Sequence, residues 1–231
     1  MRGPTSPVAR RAIQLYDDTP RGDRLHVRAR WWTCPFPLVE REIPVTGRVL
    51  EVGCGHGLLS LLVGLGARGR QVRGIDHDEH KIDLARAAAA QLLPGEADVE
   101  FSTTSLHDLG DEPWDAVVMA DVCYLLPPDA RTDLLRRMAA LVAPDGVLVL
   151  KEVAHQPVWK WQLSELQERL ATGALGITKG QTVEFAPVGE LAAPLVASGL
   201  SVRHERIDRG YPYAHHLLVG RRPGAPTGGD A

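Results

Sequence analysis

From residue 48 onward, short apolar runs alternate with longer amphipathic or Ala-rich stretches. RVLEV (48–52), QVRGID (71–76), VEFSTTS (99–105), WDAVVMAD (114–121) and GVLVLKEV (146–153) read as strands. Between them, 57–65, 80–93 (ended by Pro94-Gly95) and 129–142 read as helices; the last sets Leu134, Leu135, Met138, Leu141 and Val142 on one side. Strands that are apolar nearly throughout need cover on both faces, and with intervening helices that means a parallel sheet. A helix over 188–198 then leads to LSVRHERID (200–208), the turn RGYP and YAHHLLVGRR (213–222). So short a link joins only an antiparallel pair, because a parallel pair needs a long crossover. The pattern predicts an α/β fold: a doubly wound, mainly parallel seven-stranded sheet with a C-terminal antiparallel hairpin strand.

Three segments fall outside this alternation. Residues 1–44 read as an N-terminal helical arm covering the active site, with one helix over 8–17 and a second after the WWTCPFP stretch. Residues 45–222 form the domain proper, with an insertion at 154–187 that carries a helix over 157–170. The Pro/Gly-rich tail 223–231 is expected to be disordered. A length of 231 residues suits one decorated α/β domain. The run 49–67 is apolar enough to raise the question of a membrane span, but Glu51 and five glycines divide it into strand, turn and helix.

Net charge is -3, which argues against a surface built to grip nucleic acid. The arm alone is basic, with Arg2, Arg10, Arg11, Arg21, Arg24, Arg28 and Arg30, and a solvated helix face is the preferred reading. Cys34, Cys54 and Cys123 are too few and too scattered for a disulfide framework or a metal knuckle. With no apolar leader at the start, a cytoplasmic protein is expected.

The chemistry concentrates at strand ends. Glu51-Val-Gly-Cys-Gly-His-Gly57 lies directly between a strand and a helix, where glycines permit a tight turn and close approach of a ligand. The helix start leaves amides free. A dinucleotide fingerprint would be GxGxxG; here the spacing is GxGxG after an acidic residue. Asp76 ends the second strand, placed to accept hydrogen bonds from a ribose, while Asp78 is better placed to cap the next helix.

This set resembles motif I and the ribose-binding acid of class I S-adenosylmethionine-dependent methyltransferases. The resemblance covers about 45–153 by motif and 188–222 by topology. It implies that Gly53, Cys54, Gly55 and Gly57 pass beneath the methionine part of the cofactor, with Glu51 orienting its amino group and Asp76 holding its ribose. His77 would lie against the adenine. Ser105 stands where the family commonly carries Asp toward the adenine amino group, and Leu106 would pack on the ring. Asp121-Val-Cys-Tyr-Leu-Leu126 resembles the segment of small-molecule methyltransferases that faces the transferred methyl. Its Asp-x-x-Tyr spacing also resembles the D/N-P-P-Y motif of amino-group methyltransferases, but both prolines are missing.

Asp121 thus joins the cofactor contacts, and Tyr124 and His155 are the catalytic candidates. Trp31, Trp32, Phe36, His155, Trp159 and Trp161 are candidates to line the acceptor pocket. His215 and His216 are adjacent on a strand, so they point to opposite faces; one of them is able to face the cleft, and no metal site is expected. The implied activity is methyl transfer from S-adenosyl-L-methionine to a small molecule, of the bacterial secondary-metabolite or lipid-like kind. The alternatives are a nucleic-acid methyltransferase that uses the basic arm and a non-catalytic binder of the cofactor. The oligomeric state stays open.

Overall fold

A computed structural model describes residues 4–153 and 185–222. Its sheet begins with β1 (Thr46–Val52), flanked by β2 (Gly69–Asp76) on one side and β4 (Trp114–Ala120) on the other, both parallel to it. Next come β3 (Asp98–Thr103) outside β2 and β5 (Val142–Val153) beside β4. β7 (His215–Arg221) runs antiparallel between β5 and β6 (Ser201–Arg206). The order among the described residues is β3-β2-β1-β4-β5-β7-β6, a seven-stranded sheet in which only β7 is reversed. The expected hairpin is therefore present. The order turns back on itself between β1 and β4, and the crevice at such a switch point is where α/β sheets collect ligands.

Side chains alternate with the period of two. Val49, Val72, Val118, Val149 and Leu217 face one apolar layer; Leu50, Ile75, Val117, Leu150 and Leu218 face the other. The second layer is closed by α6 (Pro128–Ala140) and α7 (Val188–Ala197). The first holds α4 (Leu58–Gly66), buried on every side from Leu58 to Gly64, and α5 (Glu79–Ala89), which Asp78 caps by accepting from Lys81 N at 3.2 Å. That cap matches the expectation for Asp78.

The arm belongs to the same apolar layer. It comprises α1 (Pro7–Gln14), α2 (Arg21–Thr33) and α3 (Phe36–Glu40). Ser6 caps α1 and Pro7 opens it, a pairing that suits a first turn. The second helix expected after WWTCPFP is only the five-residue α3. The longer α2 precedes it and runs through Trp31 and Trp32. The polar composition of α2 hides its period, yet Val27, Trp31 and Cys34 follow i, i+4, i+7 and are all buried. Trp31 and Phe36, candidates for the pocket, are core residues; Trp32 is exposed. Buried Arg70 ties the end of the arm to β2 through the carbonyls of Ile43 and Pro44 and the Glu40 carboxylate. Among the described residues, no helix is long and apolar enough to cross a membrane.

Candidate functional site

The turn after β1 places three glycines in the left-handed region, at φ of 70° (Gly53), 53° (Gly55) and 79° (Gly57). Their surroundings differ. A Cβ on Gly53 would meet Val122 Cγ2 at 2.5 Å, and one on Gly57 would meet Phe101 Cζ at 2.5 Å. On Gly55 the nearest atom would be Lys81 Cδ, 4.0 Å away. The outer two glycines are thus required by packing, while Gly55 faces open space.

Asp76 sets this loop. Its Oδ2 accepts from Gly55 N at 2.8 Å and its Oδ1 from Asp78 N at 3.0 Å. An ionised carboxylate has about four acceptor positions, so each oxygen keeps capacity for a ligand hydroxyl. Glu51 is buried beneath the turn and accepts from the Ser60 hydroxyl. Burial pushes its carboxyl up to about 7, with nearby Asp76 adding to the effect against the Ser60 bonds. Cys54 is buried. His77 stands in solvent, its ring 3.4 Å from Asp76 Oδ1. Ser105 is exposed and uses its hydroxyl to cap a 3₁₀ turn by accepting from His107 N at 3.2 Å, and Leu106 faces the second apolar layer.

The arm rests directly on the glycine loop. Buried Tyr16 donates to the carbonyl of His56 at 2.5 Å. The His56 Nε2 lies 3.5 Å from Asp23, and its ring centroid lies 4.7 Å from that of His26. Burial, and then the neighbouring His56, lower His26 to about 4.

The end of β4 is built from side chains instead. Asp121 has φ of 62°, a strained setting for a residue with a Cβ. Its Oδ1 is bonded by Lys151 of β5, and its Oδ2 accepts from Arg30 of α2 at 2.8 Å. Burial alone would raise this carboxyl, but Lys151 and Arg30 outweigh it and hold it below the usual carboxylate range. The Cys34 thiol lies 3.7 Å from the same Oδ2, and burial pushes that thiol up to about 11. Asp121, expected among the cofactor contacts, therefore directs both oxygens at protein cations.

On the opposite face of β5, Glu152 accepts from Val122 N and Cys123 N, each at 2.9 Å, and fixes the turn that carries Tyr124. Tyr124 is half-buried with its ring centroid 5.5 Å from that of Phe185. His155, Trp159 and Trp161 lie outside the described residues, as does the expected helix over 157–170. Lys151 and Glu152 escaped the motif reading. Their signal was visible as a charged pair inside the otherwise apolar GVLVLKEV. Arg30 carried no signal beyond its place in a basic arm. Among the described residues, no group of three His, Cys, Asp or Glu is arranged to hold a metal ion.

The family model described as a methyltransferase domain matches residues 49–146, the stretch from β1 through the start of β5. The core of this chain is similar to methyltransferase domains. The ubiquinone biosynthesis O-methyltransferase of Neisseria meningitidis is 35% identical over 114 residues, covering 48% of this chain and 45% of that protein. A carboxy-S-adenosyl-L-methionine synthase from Psychrobacter is 29% identical over 127 residues, covering 53% and 46%. The chain spans about half the length of the curated relatives it matches. Among solved structures, magnesium protoporphyrin IX methyltransferase from Synechocystis PCC 6803 with bound SAH aligns at a TM-score of 0.66. At 20% identity, over 92% of this chain and 93% of that one, this likeness concerns the methyltransferase fold.

Proposed function

We propose that the protein transfers a methyl group from S-adenosyl-L-methionine to a hydroxyl of a small molecule. The observation that carries this reading is the open space over Gly55 beside the Asp76 carboxylate, at the switch point between β1 and β4. The residues present fit the cofactor. Gly55 leaves room for it, Asp76 keeps acceptor capacity for ribose hydroxyls, and Glu51 becomes fully anionic once a ligand ammonium lies nearby. His77, Ser105 and Leu106 border the adenine end, Cys54 lies beneath the methionine part, and Asp121 shapes the floor beside the transferred methyl.

The cofactor supplies a methyl group on a sulfonium that is already a good electrophile. The chain's own residues position the acceptor and keep water out. The arm (1–44) covers the site through Tyr16, Asp23 and Arg30, and residues 154–184 of the expected insertion lie outside the described residues. Tyr124, from the Asp121–Leu126 motif, and His155, from the stretch that follows β5 in sequence, are the acceptor-side candidates. The name of the Neisseria relative supports an oxygen acceptor on a small molecule. The basic arm gives little support to a nucleic-acid reading, since Arg11 pairs with Glu96, Arg24 and Arg28 bind Asp17, and Arg30 binds Asp121. Three buried thiols suit a reducing cytoplasm.

Calorimetry with S-adenosylmethionine, its demethylated product and NAD is the first test; binding of both sulfur compounds and not of NAD is expected. Labelled cofactor incubated with metabolite extracts and read by mass then separates an enzyme from a binder. Binding of NAD alone would overturn the reading.

A further inference from the structure

His215 opens β7 in register with Val153. Leu217, two residues on, pairs with Lys151, so His215 shares the face of Lys151 as its diagonal neighbour. On that face lie Asp121, Lys151, Arg30 and Cys34, joined by the bonds already described. The imidazole is nearly inaccessible, at 1% exposure, with Tyr211 and Tyr213 edge-on to it at 5.8 Å. Its Nε2 lies 2.6 Å from the carbonyl oxygen of Thr33, the last residue of α2. A carbonyl only accepts, so Nε2 carries the hydrogen and Nδ1 is a bare acceptor. That Nδ1 is buried and has no hydrogen-bond partner among the described residues. Buried polar atoms are satisfied as a rule, and an exception needs an explanation.

We infer that Nδ1 of His215 takes the proton of the methyl acceptor, an acidic hydroxyl such as a phenol or enol. This rests on the function proposed above. The acceptor O–H bond breaks toward Nδ1 while the oxygen forms a bond to the methyl carbon. The methyl–sulfur bond breaks with its electron pair returning to sulfur, so the sulfonium becomes a neutral thioether. The proton stays on Nδ1 until it passes to solvent.

Two features of the cluster suit this step. Two cations, Arg30 and Lys151, share the single carboxylate of Asp121, which leaves a positive field for the oxygen as it gains charge. Burial first, and then Lys151, keep His215 neutral, against the opposing pulls of Asp121 and the Thr33 carbonyl. The Thr33 bond comes from the arm, so the base is oriented only when α2 is docked.

The test is ¹⁵N NMR of the imidazole in the full chain saturated with S-adenosylhomocysteine. A neutral ring protonated at Nε2 is expected at pH 7, with the Nδ1 resonance shifting when catechol is added. His215→Gln should leave S-adenosylhomocysteine affinity nearly unchanged while single-turnover methylation of catechol falls by about 10²-fold or more. An imidazolium or Nδ1–H form at pH 7, an Nδ1 indifferent to catechol, phenol and 4-hydroxybenzoate, or wild-type turnover in the variant would each overturn the assignment. Failure of the wild type to bind S-adenosylhomocysteine would instead overturn the proposed function beneath it.

Discussion

At the ends of β1 and β2, the site is built from backbone groups and one carboxylate, all drawn from the 51–78 segment. At the ends of β4, β5 and β7, the corresponding atoms belong to Arg30, Asp121, Lys151 and His215, which come from four distant stretches of chain. The first region holds its shape through glycine φ angles and amide bonds. The second holds its shape through buried charge, and each member is fixed only while its partners are present. A backbone site is thereby separable from the rest of the molecule, whereas a buried ion cluster binds the arm, the sheet and the active site into one unit.

The largest effect should come from breaking the second region. Lys151→Met leaves Asp121 buried in a strained backbone with Arg30 as its remaining cation, and urea denaturation should register a loss of about 3–5 kcal/mol. If the loss were below about 1 kcal/mol, the two regions would not differ in the way described.

The next effect is a pH dependence in the first region. The folded-state carboxyl of Glu51 lies near 7, above its ordinary 4.5, so the folded form holds a proton that the unfolded form has released. Its contribution is therefore present below about 4.5 and lost as pH rises through about 7, by at most about 3.5 kcal/mol at about 1.4 per unit. Glu51→Gln should flatten this part of the ligand-free stability profile; an unchanged slope would place the titration elsewhere.

Asp76→Ala should weaken S-adenosylhomocysteine binding by about tenfold or more, the worth of one or two hydrogen bonds to a charged acceptor, about 1.5–3 kcal/mol. Calorimetry at equal folded fraction reads this directly. Smallest of all, Asp78→Ala should cost about 1 kcal/mol of stability through the lost cap of α5 and leave affinity nearly intact. A reversed pair of results would move the ribose contact to Asp78.

The legible part of the site was the part built locally. Glu51, Gly53, Gly55, Gly57 and Asp76 are brought together by one strand–turn–helix unit and its neighbour strand, and the residue types themselves state the geometry. Asp121 was legible as a strand-end residue, yet its partners were not. Lys151 lies 30 residues beyond Asp121, on the next strand and outside every motif, and Arg30 sits in a helix whose polar composition masked even its existence. His215 was readable as a residue able to face the cleft, but the bond that leaves Nδ1 bare comes from a backbone carbonyl at the end of α2.

By itself, then, the chain's apolar alternation determined the strand and helix order, the antiparallel hairpin and the glycine turn, because each follows from periodicity or from φ angles that few residues adopt. Tertiary structure decided which charges meet. Pairing Asp121 with Lys151 and Arg30 depends on β4 lying beside β5 and on α2 crossing their ends. A pairwise convergence of that kind leaves no period in the sequence, since Coulomb attraction depends on distance in space and is indifferent to separation along the chain.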